Sequence, residues 1–592
     1  MSPPPSLLGP PEIQSIGFSF SEGATKKPKM GVTENNSATY LASGNPCLDF
    51  FFHVVPDTPR EEVVGRLQVA WNHDPLTTLK LICHLRGVRG TGKCDKGGFY
   101  TAALWLHENH PKTLSINVPQ IADFGYFKDM MEILYRIIEG PDVREAEELK
   151  WEERKCEILE SKRDRKKHGK GQAKAKMERL KKIVEKAKKA IEIYSKNENY
   201  RFLHDSISDL FSKLLKKDLE NLNHGNLKEI GLASKWCPSL DSSYDRSTLM
   251  CESLARKMFP KDDFMEYEDM EDRHYAYRVR DRLRKEVLVP LHKALELPEV
   301  YMCAKKWDEL PYNRVPSIAM KNYYNLFFKH DKERFEKYLL DVKNGKTTIA
   351  AGALLPHEII AQVDDPEAVE VAELQWKRMV DDIAKKGSLE NCMAICDVSS
   401  SMSGTPMEVS VALGLLISEL SEVPWKNKLI TFSENPEFHV IKGDSLKKKT
   451  NFIRRMEWGG NTDFQKVFDQ ILKVAVRGKL REDQMIRRLF VFSDMEFDQA
   501  SSSASRWETD YQAIQRKFHA KGYQNVPEIV FWNLRNSRAT PVPSNQPGVA
   551  LVSGFSKNLV SVFLEEGGIM SPEAVMLQSI SGEEYQKLIV YD

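Results

Sequence analysis

Residues 392–401 read CMAICDVSSS, a short apolar run that is followed by Asp397, Val398 and three consecutive serines, of which Ser399 and Ser401 alternate with Asp397 along the chain. A similar pattern occurs at residues 489–493, LFVFS, which Asp494 follows. Further apolar runs, at 429–432, 529–532 and 549–552, alternate with amphipathic helical patterns. Runs that are apolar throughout and alternate with helices are typical of parallel strands covered on both faces. The sequence therefore predicts a doubly wound parallel sheet over residues 387–592.

Five oxygen-bearing side chains follow these predicted elements in order: Asp397, Ser399, Ser401, Thr462 and Asp494. Carboxylates and hydroxyls are hard ligands, which suit Mg²⁺ or Mn²⁺ and not zinc or copper. In a doubly wound sheet, ligands bind beyond the carboxyl ends of the strands, where the strand order reverses. If the strands that precede Asp397 and Asp494 are neighbours there, both carboxylates face one crevice. We therefore expect these five residues to hold one divalent ion, Mg²⁺ or Mn²⁺.

Each of these residues also has a purely structural interpretation. Serine-rich loops are common, Thr462 has the position of a helix N-cap, and Asp494 can cap the turn after its strand. The metal-site interpretation depends on the combination, in which each residue stands after the expected element. Water or the carboxylate of a protein partner would complete the six ligands of Mg²⁺.

Length and composition define the class of protein. A chain of 592 residues is too long for one ordinary core, and 41% hydrophobic residues with 10 Trp favour folded domains over general disorder. The net charge of +1 predicts no particular partner. The 9 Cys form no C-x-x-C pair, which argues against a zinc site and is typical of an intracellular protein. Without an apolar run of about 18 residues or a signal-peptide pattern, we expect a location in the cytoplasm, which can include the nucleus as well, and no membrane contact.

The residues before the predicted sheet divide into regions of different composition. Residues 1–36 are rich in Pro, Ser and Gly and aperiodic, which predicts a disordered tail. Residues 37–386 show amphipathic helical periodicity, as in 75–85 and 127–138, and predict an all-helical, HEAT-like array. Residues 161–189 interrupt this array with fourteen Lys and Arg against three acidic residues, which predicts a mobile or solvated helical insertion.

A glycine-rich basic segment, residues 87–93, satisfies most of the phosphate-loop pattern G-x-x-x-x-G-K. The next residue is Cys94, where that pattern needs Ser or Thr, and the segment follows a predicted helix instead of a strand. We therefore interpret the segment as a turn between helices and expect no nucleotide binding there. Arg86, Arg89 and Lys93 can still contact phosphate groups as point charges or forks.

Basic and aromatic side chains in the helical region predict contact with RNA. Within residues 275–285, two tyrosines precede four arginines and a lysine, and aromatic rings beside Arg suit stacking on unpaired bases. The candidate nucleic-acid-binding residues are Arg86, Arg89, Lys93, Tyr275, Tyr277, Arg278 and Arg282. The alternative is a charged, solvated helix face, because nearby acidic residues such as Asp281 and Glu286 can pair with these arginines.

The five predicted metal ligands follow the order of a known metal-binding motif. The order D-x-S-x-S, then T, then D resembles the metal-ion-dependent adhesion site of von Willebrand factor A domains, and it is matched residue by residue by Asp397, Ser399, Ser401, Thr462 and Asp494. The resemblance covers residues 389–592. It implies a Rossmann-like sheet and a divalent metal to which a protein ligand donates a carboxylate. It implies partner binding and not catalysis.

The whole chain resembles two further families. A helical array followed by an A domain is similar to the architecture of the Ro autoantigen (TROVE) proteins, and residues 79–93 look like a basic segment of that family. In those proteins a ring of HEAT-like helices holds RNA, which implies single-stranded or misfolded RNA as a partner. The stretches GNPCLDFFF at 44–52 and LWLHENHP at 104–111 resemble a plant and viral family, domain of unknown function 2828, in a match that covers nearly the whole chain.

These predictions together favour a binding function. We expect a non-enzymatic intracellular protein that binds RNA through the helical region and a partner through the metal. No G-x-S-x-G, H-E-x-x-H or evident Ser/His/Asp spacing is present in the sequence, so we expect no enzyme. Two alternatives remain open. One is a pure protein-interaction scaffold that uses the metal site, and the other, ranked third, is a metal-dependent hydrolase built on Asp397 and Asp494.

Overall fold

The described chain begins with a small β-hairpin. The computed structural model describes residues 28–161, 172–432, 436–456, 464–479, 481, 485–497, 510–564 and 570–592. Strand β1 (Met30–Val32) pairs antiparallel with β2 (Ala38–Tyr40). The prediction of a disordered tail is therefore wrong over residues 28–36, because backbone hydrogen bonds to the second strand hold this segment. Residues 1–27 lie outside the described residues.

Helices form most of the chain between residues 46 and 384, as the sequence predicts. In chain order they are α1 Pro46–His53, α2 Arg60–His73, α3 Pro75–Arg86, α4 Lys96–Asn109, α5 Pro111–Ile116, α6 Val118–Phe124, α7 Phe127–Glu139, α8 Val143–Ser161, α9 Gln172–Lys196, α10 Glu198–Asn223, α11 Ala233–Trp236, α12 Ser243–Thr248, α13 Met250–Met258, α14 Asp272–Arg282, α15 Val289–Ala294, α16 Pro298–Cys303, α17 Ser317–His330, α18 Lys332–Lys343, α19 Pro356–Ile360 and α20 Val369–Ala384. A HEAT-like grouping of these helices stays a prediction. Among the described helices, none is both long and apolar enough to span a membrane.

The predicted basic insertion is helical where the structure describes it. Helix α9 includes residues 172–189, and most of its described side chains there are exposed to solvent. This agrees with the prediction of a solvated helix. Residues 162–171, which hold six of the fourteen basic side chains, lie outside the described residues.

The third helix shows how the sequence sets the helix bounds. Asp74 caps its N-terminus by accepting a backbone N–H of the first turn at 3.0 Å, and Pro75 follows where a missing N–H costs nothing. The helix ends at Arg86 because Gly87 leaves the helical conformation. Residues 87–95 then connect α3 to α4. This confirms the predicted turn between helices, and the strand that precedes a phosphate loop is absent here.

The C-terminal part is built on one six-stranded sheet. Its strands are β3 Cys392–Asp397, β4 Lys428–Phe432, β5 Phe438–Val440, β6 Arg488–Ser493, β7 Glu528–Asn533 and β8 Val549–Ser553. The helices of this part are α21 Thr405–Leu420, α22 Leu446–Arg454, α23 Phe464–Gly478, α24 Asp510–Ala520 and α25 Pro572–Ser579. The predicted sheet is present, but it is mixed and not purely parallel. Strand β5 runs antiparallel to β4, whereas all other neighbouring strands are parallel.

The order of these strands creates an edge suited to a ligand. Every residue of β3 and β8 is buried, so both faces of the sheet are covered. The spatial order is β5-β4-β3-β6-β7-β8. The chain therefore leaves β3 on one side to form β4 and returns on the other side to form β6. In open α/β sheets, the carboxyl ends of the strands at such a reversal mark the ligand-binding crevice.

The helical part and the sheet share one hydrophobic core. The C-terminal end of α1 lies at the carboxyl ends of β7 and β8, where the Asn533 side chain donates to the Phe52 carbonyl at 3.2 Å. The ring of His53 contacts Ser537 and Thr540 in the loop that follows β7, at 3.0 Å each. Buried apolar residues continue without a break from the first helices into the sheet. A smaller second core joins α17, α18 and α20.

Candidate functional site

Two carboxylates lie at the edge where the strand order reverses. Asp397 is the last residue of β3, Asp494 follows β6, and these two strands are hydrogen-bonded neighbours. The structure therefore brings the two predicted acidic ligands to the same edge of the sheet. Both side chains are almost inaccessible, with 1% of Asp397 and 5% of Asp494 exposed. Buried carboxylates need a compensating partner, because desolvation disfavours their charge.

Hydrogen bonds orient the Asp397 carboxylate. The Ser493 hydroxyl donates to one of its oxygens at 2.7 Å, and the Ser399 backbone N–H donates to the other at 2.9 Å. Burial, followed by the negative charge of Asp494, raises the pKa of Asp397 to about 6. Like charges held together in a buried site repel each other, and a cation beside them would remove that repulsion.

Hydroxyl groups supply further oxygen atoms beside these carboxylates. The hydroxyl oxygens of Ser399 and Ser401 lie 2.9 Å apart on the loop after β3. Thr462, the remaining predicted ligand, lies outside the described residues. Arg535, which the sequence analysis missed, donates to the backbone carbonyl of Ser401 and places a positive charge beside this loop. Nothing in its sequence context marks Arg535, because the contact joins two loops far apart in the chain.

The donor set at this edge fits a hard cation. It consists of carboxylate and hydroxyl oxygens, and the nearest thiol, Cys396, is buried with its Sγ donating to the Ser410 carbonyl at 3.5 Å. Hard oxygen donors are the ligands that Mg²⁺ and Mn²⁺ prefer. Across the described ranges, no cluster of three or more His, Cys, Asp or Glu residues could hold a metal. A metal here would therefore depend on the hydroxyl groups as well as the two carboxylates.

Two of the predicted RNA-binding cations are buried inside the protein. Arg86 forms a two-point ion pair with Asp129, with N–O distances of 2.8 and 3.2 Å. Lys93 is 1% exposed, and its ammonium donates to two carbonyl groups at the end of α1 and to the Ser553 hydroxyl. The prediction that these residues contact RNA is wrong, because burial keeps phosphate away and protein oxygen atoms occupy their donors. These are a carboxylate for Arg86 and uncharged carbonyl and hydroxyl groups for Lys93.

Two residues of the predicted Tyr/Arg cluster are also engaged within the protein. Tyr275 is 3% exposed, and its hydroxyl donates to the Phe259 carbonyl at 2.9 Å. Arg282 pairs with Glu286 and Glu266 and lies over the Phe259 ring, 4.2 Å from its centroid. The prediction of RNA contact is wrong for both, because Tyr275 presents no ring face to solvent and Arg282 has carboxylate partners on two sides.

Three predicted RNA-binding residues remain exposed: Arg89, Tyr277 and Arg278. Their contact with RNA stays a prediction. Arg89 is held by the Asp123 and Gly125 carbonyls and faces a large cavity. The basic residues singled out from the sequence therefore do not converge as a group on one concave surface.

The large cavity lies mostly within the helical part, and Lys557, Asn558 and Ser561, which follow the last strand of the sheet, also line it. Its volume is about 1300 Å³, which exceeds the roughly 300–1,000 Å³ of small-molecule pockets. Its walls include aromatic rings and cationic side chains, contributed by Tyr126, Trp236, Tyr323, Arg89, Lys235, Lys386 and Lys557. Two carboxylates, Glu299 and Asp382, also line the cavity. Cations therefore outnumber anions on this concave surface.

Two aromatic rings form one wall of the cavity. The ring centroids of Tyr126 and Trp236 are 5.5 Å apart, and the Lys235 ammonium lies 5.4 Å from the Trp236 ring. Both rings are partly exposed, so they can stack on a base that enters the cavity. This wall was not predicted, because its residues come from separate short segments. The adjacent Lys235 and Trp236, a cation beside an aromatic ring, are the one feature of the sequence that could have indicated it.

The cations of the cavity differ in how accessible they are. Lys557 donates to two backbone carbonyls in the loop before α19, at 3.0 and 2.7 Å, and burial lowers its pKa to about 8. Lys557 is therefore a structural residue. Asp382 is held in an ion pair on its own helix. Lys235 and Lys386, together with Arg89, carry the positive charge that a ligand in the cavity can reach.

Sequence models of two families match this chain. The model described as a domain of unknown function, DUF2828, matches residues 33–389, and DUF7788, also a domain of unknown function, matches residues 391–588. The predicted membership of the first family is confirmed, although its model ends at residue 389 and does not cover nearly the whole chain. The von Willebrand factor A resemblance of the C-terminal part stays a prediction, because the model that matches there is a different one.

Two individual proteins are similar to this chain. The uncharacterized protein L728 of Acanthamoeba polyphaga mimivirus is 28% identical over 565 residues, which are 90% of this chain and 84% of that protein. The crystal structure of the Deinococcus radiodurans Ro (RSR) protein overlaps 78% of this chain and 93% of that one, at 12% identity and a TM-score of 0.34. At that TM-score, the overlap supports no argument about fold or function. The DUF2828 model matches more than half of the chain, and the chain therefore belongs to the family described as domain of unknown function DUF2828.

Proposed function

We propose that this protein is a non-enzymatic binding protein that holds a single-stranded segment of RNA in the large cavity of its helical part. The observation that carries the proposal is the wall on which Tyr126 and Trp236 lie beside Lys235. Aromatic rings stack on unpaired bases, and neighbouring cations contact the phosphates. This combination is typical of sites for single-stranded nucleic acid.

The shape of the cavity favours a single strand over a duplex. The bases of a duplex are paired and stacked on each other, so they cannot reach rings inside a concave surface. A single strand, or the unpaired part of a misfolded RNA, presents free bases to Tyr126 and Trp236. The phosphates of that strand would then be close to Arg89, Lys235 and Lys386.

At the sheet edge, we propose a site for one Mg²⁺ or Mn²⁺ ion, with Asp397, Ser399, Ser401 and Asp494 as ligands and Thr462 as the predicted fifth. Support comes from the two buried carboxylates, the raised pKa of Asp397 and the hydroxyl pair beside them. When bound, the ion would neutralise these carboxylates and offer an open position to a carboxylate of a protein partner. The strand order supports the resemblance to von Willebrand factor A domains, which implies this kind of partner binding.

Two other functions are less consistent with the geometry. A metal-dependent hydrolase needs a general base beside the reacting water. Among the described residues, the hydrogen bonds of Asp397 and Asp494 involve Ser hydroxyl and backbone N–H groups, with no His or Lys. A pure protein-interaction scaffold gives no reason for aromatic rings beside accessible cations inside a concave cavity.

Fluorescence anisotropy of a labelled single-stranded RNA, measured at two salt concentrations, tests the RNA proposal. The double variant Lys235→Glu with Lys386→Glu should bind more weakly and depend less on salt. Each cation that contacts a single strand contributes about 0.7 to the slope of log affinity against log salt. The matched control, Lys337→Glu with Lys343→Glu, reverses two exposed charges on α18 that do not line the cavity. An equal loss in the control, or no binding by the wild-type chain at low salt, would overturn the proposal.

Replacement of the wall tryptophan tests the stacking part of the proposal. Trp236→Leu should reduce RNA affinity by about 1–3 kcal/mol, which is the usual contribution of one stacked base. Trp151→Leu is the matched control, because Trp151 is 60% exposed on α8 and does not line the cavity. Unchanged affinity in the Trp236 variant would show that the ring does not contact RNA.

A further inference from the structure

A second pocket, with a volume of about 400 Å³, adjoins the large cavity. Ser239 and His292 line both spaces. The other walls of the small pocket are Leu240, Asp241, Tyr277, Arg280, Asp281, Arg284, Leu288 and Val289. An aromatic ring, two guanidinium groups and two carboxylates thus surround a space that is suited to one small ligand.

A π-helical turn shapes this small pocket. Helix α14 continues through Leu283–Leu288 into α15, and the Val289 N–H bonds to the Arg284 carbonyl five residues before it. Pro290 accounts for the turn, because it has no N–H to donate to the Glu286 carbonyl and so interrupts the α-helical pattern. Such turns occur frequently at functional sites.

The two arginines of the small pocket differ in their partners. One terminal nitrogen of Arg280 pairs with Asp241 and Asp245, at 3.2 and 3.3 Å, while its Nε is buried without a hydrogen-bond acceptor among the described residues. Arg284 is exposed, and Tyr277 is 76% exposed. A ring face and a guanidinium group are therefore accessible to a ligand, and an acceptor that enters deeply would satisfy the Arg280 Nε.

We infer that this small pocket binds one unpaired nucleotide of the RNA strand that the cavity holds, with its base on the Tyr277 ring and its phosphate at Arg284. The inference rests on the proposed RNA binding and adds a defined subsite to it. Stacking on the ring tolerates any base. Asp241 is paired with Arg280 and Asp281 with Lys285, but each carboxylate accepts hydrogen bonds only and has further lone pairs, so the two favour a base that carries an amino group.

Two pocket variants and one control test this subsite with labelled single-stranded RNA. Tyr277→Leu and Arg284→Gln should each weaken binding roughly tenfold, because the first removes the stacking ring and the second the charge at the phosphate. Arg273→Gln is the matched control, because Arg273 is an exposed arginine on the same helix that does not line the pocket. Equal losses for Arg273→Gln and Arg284→Gln would indicate a nonspecific basic surface and overturn the subsite.

Free AMP and ribose 5-phosphate, titrated into the full chain and followed by ligand-observed NMR, separate the base from the phosphate. AMP should bind, and Tyr277→Leu should abolish its binding. Ribose 5-phosphate has no base and should bind roughly tenfold more weakly or not at all. Equal binding of the two compounds would mean contact with a bare phosphate and contradict a nucleotide pocket.

The failures of the subsite and of the proposed function are distinguishable. If the wild-type chain binds RNA and both pocket variants bind it equally well, the subsite is wrong while RNA binding stands. If the wild-type chain binds no RNA, the proposed function is overturned and the subsite with it. The four RNA titrations, of the wild-type chain, the two pocket variants and the control, use one probe and one buffer, so their affinities can be compared directly.

Discussion

Asp397 and Asp494 lie together because two neighbouring parallel strands end at the same edge of the sheet. The sequence could predict this pair, because an acidic residue directly after an apolar run lies at the carboxyl end of a predicted strand. The Ser493 hydroxyl that holds Asp397 was not singled out, although it directly precedes Asp494. A serine in an apolar run has no distinguishing pattern, and its role depends on the neighbouring strand.

Removal of one carboxylate tests the proposed metal site. Asp397→Ala should abolish Mn²⁺ binding measured by calorimetry, because a single remaining carboxylate cannot hold a weakly bound hard ion. The thermal midpoint should change little, since the variant also removes repulsion from Asp494. Asp308→Ala, which removes an exposed carboxylate elsewhere, should leave Mn²⁺ binding unchanged. Undiminished Mn²⁺ binding by Asp397→Ala would rule out this assignment.

Lys93 shows where sequence patterns cannot decide between surface and core. Its glycine-rich context suggested contact with phosphate, but the ammonium caps the C-terminal carbonyls of α1. Helix C-termini carry partial negative charge, so a buried cation there has a structural role. The third acceptor of the Lys93 ammonium is the Ser553 hydroxyl, which is 460 residues away in the chain. A local sequence pattern cannot predict a contact between residues so far apart.

A substitution of Lys93 should destabilise the fold and should not change nucleotide binding. Lys93→Met removes the ammonium that two buried carbonyl groups share, and the Ser553 hydroxyl, which has one proton, can then donate to only one of them. The other carbonyl is left without a side-chain donor, which costs roughly 1–3 kcal/mol of unfolding free energy. Urea unfolding measures this loss, and Lys96→Met, at an exposed position in the same region, should unfold like the wild type. Calorimetry with ATP should give the same result for Lys93→Met as for the wild-type chain, because residues 87–93 form no nucleotide site. ATP binding that Lys93→Met loses would contradict the structural role.

At the scale of elements, the predicted and observed strands agree where the chain is apolar over several residues. The runs at 392–396 and 489–493 correspond to β3 and β6, and the helices between them follow the expected alternation. Strand β5 has three residues, none of them buried, and it was not predicted. The β1–β2 hairpin was missed for a similar reason, since three-residue strands show no periodicity and this hairpin is extended by tertiary pairing between Tyr40 and Thr540.

Helix α9 supplies a prediction about general electrostatic attraction. Replacement of Arg179, Lys181, Lys182 and Lys188 by Gln should weaken RNA binding by less than about fivefold and equally for all sequences, because exposed charges on a solvated helix act only through counterion release. Anisotropy titrations with two unrelated RNA sequences measure the effect. The cavity variant Lys235→Glu with Lys386→Glu should cost more. Complete loss of binding in the α9 variant would place the RNA on this helix and not in the cavity.

At the scale of the whole molecule, the helical part and the sheet form one structure and not two linked units. Helix α1 ends against β7 and β8, and the core continues across this contact. The change from helices to a sheet near residue 387 could be predicted from the sequence, because hydrophobic periodicity depends only on neighbouring residues. It could not predict the interface or the cavity beside it. Both depend on contacts between distant residues, such as the contact of Asn533 with Phe52.

The interface should make the protein sensitive to mild acid through His53. Burial, aided by the positive charges of Arg66 and Lys93, lowers the pKa of His53 to about 3. In the unfolded chain its pKa is about 6.5, so between these values the unfolded state binds the additional proton and stability falls as pH falls. From pH 7 to about pH 5.5, wild type should therefore lose about 1 kcal/mol more than His53→Asn, measured by urea unfolding. If the free energy of unfolding falls equally in the wild type and in His53→Asn, His53 is not held neutral in the folded protein.

Ultraviolet crosslinking of the full chain to single-stranded RNA, followed by mass spectrometry of the crosslinked peptides, shows whether RNA enters the cavity. If it does, crosslinks are expected at the rings of the cavity wall, Tyr126 and Trp236, and they should decrease when unlabelled single-stranded RNA competes. A duplex of the same sequence should compete poorly, because its bases are not free to stack. Crosslinks confined to α9 or to other outer surfaces, with none in the cavity, would contradict the account.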